Sequence, residues 1–158
     1  MPSPSTFGTQ LIGQTEKALN AILDQQLACT GVNEPQWVTL TIAVMSGGTM
    51  VPDQLLSRVA GALQISYAEA RTRIEELAVT QLLELPKDDS SPVGVTDAGS
   101  HLHARIRSNV AEITQRLWGD LPPDDLAVAA RVLGTVLDRA NGELAKYLTP
   151  HDELTRAS

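Results

Sequence analysis

Leu63-Gln64-Ile65-Ser66-Tyr67-Ala68-Glu69-Ala70 is the stretch on which the fold turns. Leu55, Leu56, Val59, Ala60 and Leu63 recur before it at helical spacing, and Ala70, Ile74 and Leu77 do so after it. Between them Gln64-Ile65-Ser66 is too short for anything but a tight turn. Ser66 is a good N-cap, and Glu69, three residues on, completes a capping-box spacing. Two short helices joined by a tight turn are therefore expected, the first opening at Val51-Pro52-Asp53 with Pro52 in its first turn.

Downstream, Leu82-Leu83-Glu84-Leu85-Pro86 and Val93-Gly94-Val95 flank a turn-forming Lys87-Asp88-Asp89-Ser90-Ser91-Pro92. They read as the two strands of a β-hairpin. Thr96 caps a long helix whose Leu102, Ile106, Val110, Ile113 and Leu117 are spaced by four, four, three and four. Gly119, Pro122 and Pro123 end it, and Asp124 and Asp125 suit the start of a last helix. That helix carries Leu126, Leu133, Val136, Leu137 and Leu144 on one face, with the small Ala129, Ala130 and Ala140 beside them. Upstream, Phe7 to about Ala28 forms a first helix, and Asn33 caps a second that begins Glu34-Pro35 and stops at Gly47-Gly48. Met1 to Thr6 and the polar tail after Thr149 are expected to lie outside the fold.

The order is helix, helix, helix-turn-helix, hairpin, long helix, long helix. It is a mainly α, single-domain chain over 1–158. A winged helix-turn-helix lobe spans 34–96, and dimerisation helices span 7–28 and 97–148. In a winged helix the second helix of the pair enters the major groove and the hairpin reaches the backbone or minor groove beside it. The apolar stripes of the terminal helices exceed what so small a chain can cover, so the same helices of a second copy are expected to cover them.

Composition agrees and sets limits. Of the 158 residues 42% are hydrophobic but only 3% aromatic, so aliphatic helices build the core. No apolar run approaches the roughly 20 residues of a membrane span, and Met1 to Gly8 has neither the basic nor the apolar part of a signal peptide. One cysteine, Cys29, excludes an intramolecular disulfide. A cytoplasmic, membrane-free protein is expected. The net charge of −7 is opposite to that of a typical DNA-binding domain, so what matters is the charge on the docking face.

With these residues in place the chain resembles the MarR family of bacterial regulators. The resemblance rests on Glu34-Pro35-Gln36-Trp37, on Leu63 to Ala70 across the turn, on Leu82-Leu83-Glu84 entering the wing, on Val95-Thr96-Asp97-Ala98-Gly99 leaving it, and on Leu121-Pro122-Pro123-Asp124-Asp125-Leu126 before the last helix. It covers roughly Phe7 to Leu148. It implies a homodimer acting on double-stranded DNA at a pseudo-palindromic operator, as a repressor, with release by a small aromatic or anionic effector. Matched to the family, the DNA-facing residues are Ser66, Ala68, Glu69, Arg71, Thr72 and Arg73, with Lys87 in the wing. Trp37, Met45, His101 and Arg105 are the effector-crevice candidates. The chain departs from the family in a shorter wing without arginine, and in Gln81 where a glycine usually ends the recognition helix.

Each residue also has a plainer reading. Arg71 can pair bidentately with a guanine edge, or serve as helix surface beside Glu75. Arg73 has Glu76 at i+3, and Glu69 can accept from a cytosine amine or simply cap its helix. Trp37 and Met45 read as core or surface packing. Cys29, near a helix C-terminus, lacks what lowers a thiol pKa and reads as a small buried apolar residue. His101 and His103, two apart on a helix, point to different faces and cannot share a metal. No Gly-rich phosphate loop, Ser-His-Asp set or Cys-His cluster is present, so no cofactor, no metal and no enzymatic activity are expected. The alternative to a DNA-binding regulator is a winged-helix dimer that binds protein through its acidic surface.

Overall fold

In a computed structural model, which describes residues 5–88 and 91–147, three of the six helices begin at side-chain caps, Asn33, Ser66 and Thr96. Helix α1 (Thr9–Leu27) leads to α2 (Glu34–Met45). At the start of α2 the Asn33 side chain accepts from the Gln36 backbone amide at 3.0 Å, and the Gln36 side chain accepts from the Asn33 amide at 3.0 Å. Two of the helix's orphan amides are thereby satisfied. A short strand β1 (Thr49–Met50) precedes α3 (Pro52–Leu63), the tight turn and α4 (Tyr67–Val79). Strands β2 (Leu83–Glu84) and β3 (Val93–Val95), then the long helices α5 (Asp97–Trp118) and α6 (Pro123–Ala145), complete the chain.

The turn between α3 and α4 places Gln64 in the left-handed region at φ 55° and ψ 46°. Its backbone continues into Ile65, whose amide returns to the Ala60 carbonyl at 3.1 Å. Gln81, after α4, also has positive φ, 63°, and Leu82 N reaches back to Leu77 O at 2.9 Å. Glutamine thus occupies the position that glycine fills at least strain.

Sequence reading expected a two-stranded hairpin; the sheet has three strands, in the order β1-β3-β2, all antiparallel. Thr49 pairs with Gly94 and Met50 with Val93 on one side of β3, and Leu83 with Val95 and Glu84 with Gly94 on the other. A two-residue strand between a glycine pair and a proline has no alternation to announce it. It forms because the second edge of β3 needs partners: Val95 N, for example, donates to Gly48 O at 2.8 Å.

The core lies inside the lobe. Leu40 of α2, Leu55 and Val59 of α3, Ala70, Ile74 and Leu77 of α4, Leu83 and Val93 of the sheet and Ile106 of α5 are all buried. Thr96 locks α5 onto this lobe: its hydroxyl oxygen accepts from Gly99 N at 3.0 Å and donates to Gln81 O at 2.7 Å. Gly99 lies so near the Leu82 backbone that a Cβ there would overlap the Leu82 carbonyl oxygen.

Cys29 corrects an expectation. It is exposed rather than buried, with φ 68°, in the turn after α1. The turn between α1 and α2 runs through two left-handed residues, Cys29 and Gly31 (φ 78°), and Cys29 stands exposed in it while Leu27 takes the buried place. The expectations for Met1 to Pro4, for the wing-tip pair 89–90 and for the tail from 148 lie outside the described residues.

Candidate nucleic-acid interface

Helix α4 has a simple division of faces. Ala70, Ile74 and Leu77 are buried, and Ala68, Thr72, Glu75 and Val79 are exposed on the side away from them. Val79 is 82% exposed. Ser66 and Glu69 hold the N-terminus by a complete capping box. Glu69 N donates to Ser66 Oγ at 3.1 Å, and Ser66 N donates to Glu69 Oε2 at 3.2 Å. The Glu69 carboxylate thus occupies the positive end of the helix, where a phosphate would otherwise sit.

The two arginines of α4 lie on its flanks. Arg73 pairs with Glu76 at 3.4 Å, and the same Glu76 oxygen accepts from Gln36 Nε2 of α2 at 2.6 Å. That ion pair is the plainer of the two readings of Arg73, and the Gln36–Glu76 bond ties α4 to the start of α2. Arg71 lies on the opposite flank, in a cleft with Pro52 and Asp53 of α3 and with Leu85, Pro86 and Val93 of the wing. Thr72 turns its hydroxyl back on its own helix, donating to Ala68 O at 3.1 Å. Lys87 is exposed at the start of the wing turn, where Ser91 Oγ donates to Asp88 Oδ1 at 2.9 Å. Over residues 34–96 the sequence supplies four cations, Arg58, Arg71, Arg73 and Lys87, against eight acids.

The crevice candidates are not brought together as a set. Trp37 stacks on His103, with ring centroids 4.9 Å apart and an interplanar angle of 17°. Met45 is 62% exposed and its sulfur takes a contact from Arg107 Nη1 at 3.6 Å. His101 and Arg105 are exposed on α5. The residues that meet α2 are therefore His103 and Arg107, which sequence reading had not selected. The signal was present: Gly99 and His103 extend the Ile106–Val110 stripe toward the start of α5 at spacings of four and three. Burial pushes the His103 imidazole below its ordinary pKa, with the nearby Arg107 charge adding to it. Trp37, Thr41 and Met45 follow one another at four-residue spacing along α2, and Thr41 Oγ1 is buried without a hydrogen-bond partner. At the start of α2, burial together with Asp24 and Glu16 raises the Glu34 carboxyl pKa. Among the described residues no group of His, Cys, Asp and Glu is arranged to hold a metal ion, and no helix is long and apolar enough to cross a membrane.

No protein-family model matches the chain, and no curated protein matches it. Solved structures do. The chain is similar to a transcriptional regulator of the MarR family from Rhodococcus sp. RHA1, with a TM-score of 0.65 and 16% identity, over 80% of this chain and 90% of that one. The chain folds as a MarR-type winged helix. It is also similar to S. aureus MepR, solved as a complex with DNA, at a TM-score of 0.69 and 19% identity over 86% of this chain and 99% of the other. A third likeness is to Bordetella bronchiseptica BpsR, whose DNA binding is regulated by 6-hydroxynicotinic acid. The TM-score there is 0.63 and the identity 25%, over 85% of this chain and 99% of that one. Within the MarR-type fold α3 and α4 form the helix-turn-helix, β2 and β3 the wing, and α1, α5 and α6 the helices outside the lobe.

Proposed function

We propose that the chain is a homodimeric transcriptional regulator of the cytoplasm that binds double-stranded DNA at a pseudo-palindromic operator as a repressor. The observation that carries the reading is the capped α4, set beside a wing and presenting an exposed face, in a fold shared with MepR, which was solved on DNA. In this reading Ser66, Ala68, Glu69, Arg71, Thr72 and Arg73 lie at or beside the DNA, and Lys87 reaches its backbone from the wing.

The dimer is supported by what α1 and α6 leave uncovered. No residue of α6 is buried, and Leu27 alone is buried in α1. Phe7, Leu11, Leu19, Val128, Val132 and Leu133 line an open apolar groove of about 750 Å³ between the two helices. So much exposed aliphatic surface on long helices is the mark of a missing partner helix, and a two-fold arrangement would cover both copies at once.

A small aromatic or anionic effector is the release signal in this reading. The BpsR likeness supports it, and so does the unpartnered Thr41 hydroxyl between Trp37 and Met45, where α2 meets α5. The test is binding to the DNA upstream of the chain's own gene as a function of salt. A steep loss of affinity with rising salt supports the regulator, and no binding at low salt would sink it.

A second reading, a winged-helix dimer that binds protein, is favoured by one observation: the Glu69 carboxylate closes the N-terminus of α4, the end a phosphate would need. Under that reading the upstream DNA is not bound at any salt.

A further inference from the structure

We propose that α4 reads its half-site through thymine methyl groups, contacted by Ala68 and the Thr72 γ-methyl, rather than through a guanine edge held by arginine. The inference rests on the DNA-binding reading above and names the base chemistry that reading leaves open.

Three features of the helix lead to it. The first is the division of faces: Ala68, Thr72 and Glu75 occupy the exposed side, opposite Ala70, Ile74 and Leu77. The N-terminal part of a recognition helix is the part that meets base edges, which selects Ala68 and Thr72. The second is the Thr72 rotamer. Its hydroxyl is spent on the Ala68 carbonyl at 3.1 Å, so the γ-methyl is the group left to present outward. Ala68 adds a second methyl one turn away. Alanine and the threonine methyl are side-chain groups that match the thymine 5-methyl in the major groove.

The third is the placement of charge. Arg73 is held by Glu76, which Gln36 also holds. Arg71 is exposed at the edge of this face and lines a cleft with Pro52 of α3 and Leu85 and Pro86 of the wing, which places it beside the wing rather than with Ala68 and Thr72. Glu69 is closed into the capping box. Glu75 remains on the exposed side and offers only acceptors, which oppose the N7 and O6 acceptors of guanine.

The probe is the duplex that the protein itself enriches from a randomised pool of about 30 base pairs at low salt, long enough for two half-sites one turn apart. It is resynthesised with uracil for thymine, which deletes only the 5-methyl groups, and separately with 7-deazaguanine, which deletes the guanine N7 acceptor. We expect the uracil duplex to bind about ten-fold or more weakly, from several buried methyl contacts over two half-sites, and the 7-deazaguanine duplex to bind as the parent does. Thr72→Ser keeps the hydroxyl and removes the methyl. It should weaken binding to the thymine duplex more than binding to the uracil duplex, and so reduce the preference for thymine over uracil. Equal binding of the thymine and uracil duplexes, with loss on 7-deazaguanine, overturns the proposal while leaving DNA binding intact. A pool from which nothing is enriched overturns the DNA-binding reading and this inference together.

Discussion

The lobe from α2 to β3 and the arms formed by α1 and α6 have nearly the same chemistry in sequence and opposite fates in the structure. In the lobe, α3 buries Leu55, Leu56, Val59 and Ala60 within twelve residues. In α6, twenty-three residues with an equally regular stripe of leucine, valine and alanine bury none. Leu133 is 45% exposed and Leu137 59% exposed. The lobe is finished by contacts within one chain, whereas the arms leave an apolar face uncovered, the face that the proposed dimer would close. A side-chain bond between lobe and arm, Gln64 Nε2 donating to Asn141 Oδ1 at 3.0 Å, lies at the helix-turn-helix corner. The proposed assembly surface and the helix-turn-helix are therefore physically adjacent.

The sharpest way to break that comparison is to charge the arm and leave the lobe alone. Leu133→Asp with Leu137→Asp places two carboxylates where a partner helix would cover them, at about 3 kcal/mol or more per chain. Light scattering should show a monomer where the parent is a dimer, with near-UV circular dichroism from Trp37 retained. A double variant that stays dimeric would remove α6 from the interface. Next in size is Gly99→Ala at the junction of lobe and α5. The added Cβ overlaps the Leu82 carbonyl oxygen, and a loss of about 1–3 kcal/mol is expected in urea unfolding.

The junction also carries a pH dependence. The folded protein holds His103 below its ordinary value of 6.5, chiefly through burial. The unfolded chain therefore takes up the proton first. Stability is unaffected above that value and falls as pH drops below it. His103→Phe preserves a ring against Trp37 and should flatten this part of the stability–pH curve; an unchanged curve would mean that another group titrates. The smallest effect is internal to the lobe. Gln81→Gly relieves a left-handed φ of 63° and should raise stability by up to about 1 kcal/mol in the same unfolding measurement.

Much of the fold was legible because its signals are local. Asn33, Ser66 and Thr96 each cap the helix they were expected to cap. Pro52 stands in the first turn of α3 as expected, whereas Pro123, read as a stop for the helix before it, opens α6. What was not legible depends on partners distant in sequence. Strand β1 exists because β3 offers it an edge. Cys29 is exposed in a turn built on two left-handed residues, itself and Gly31. His103 rather than His101 meets α2 because it lies with Gly99 and Ile106 on the buried side of α5. The interface was legible as a list of residues but not as directions. Only the fold shows Arg73 held by Glu76, Arg71 turned to the wing and the Thr72 hydroxyl folded back on Ala68.

The central claim is that two lobes act together on one duplex because the arms join two chains. Sedimentation of the protein with its own upstream DNA at low salt tests it most directly. The account predicts a complex of two chains per duplex that dissociates as salt rises. A complex of one chain per duplex, or free DNA at every protein concentration, would contradict it.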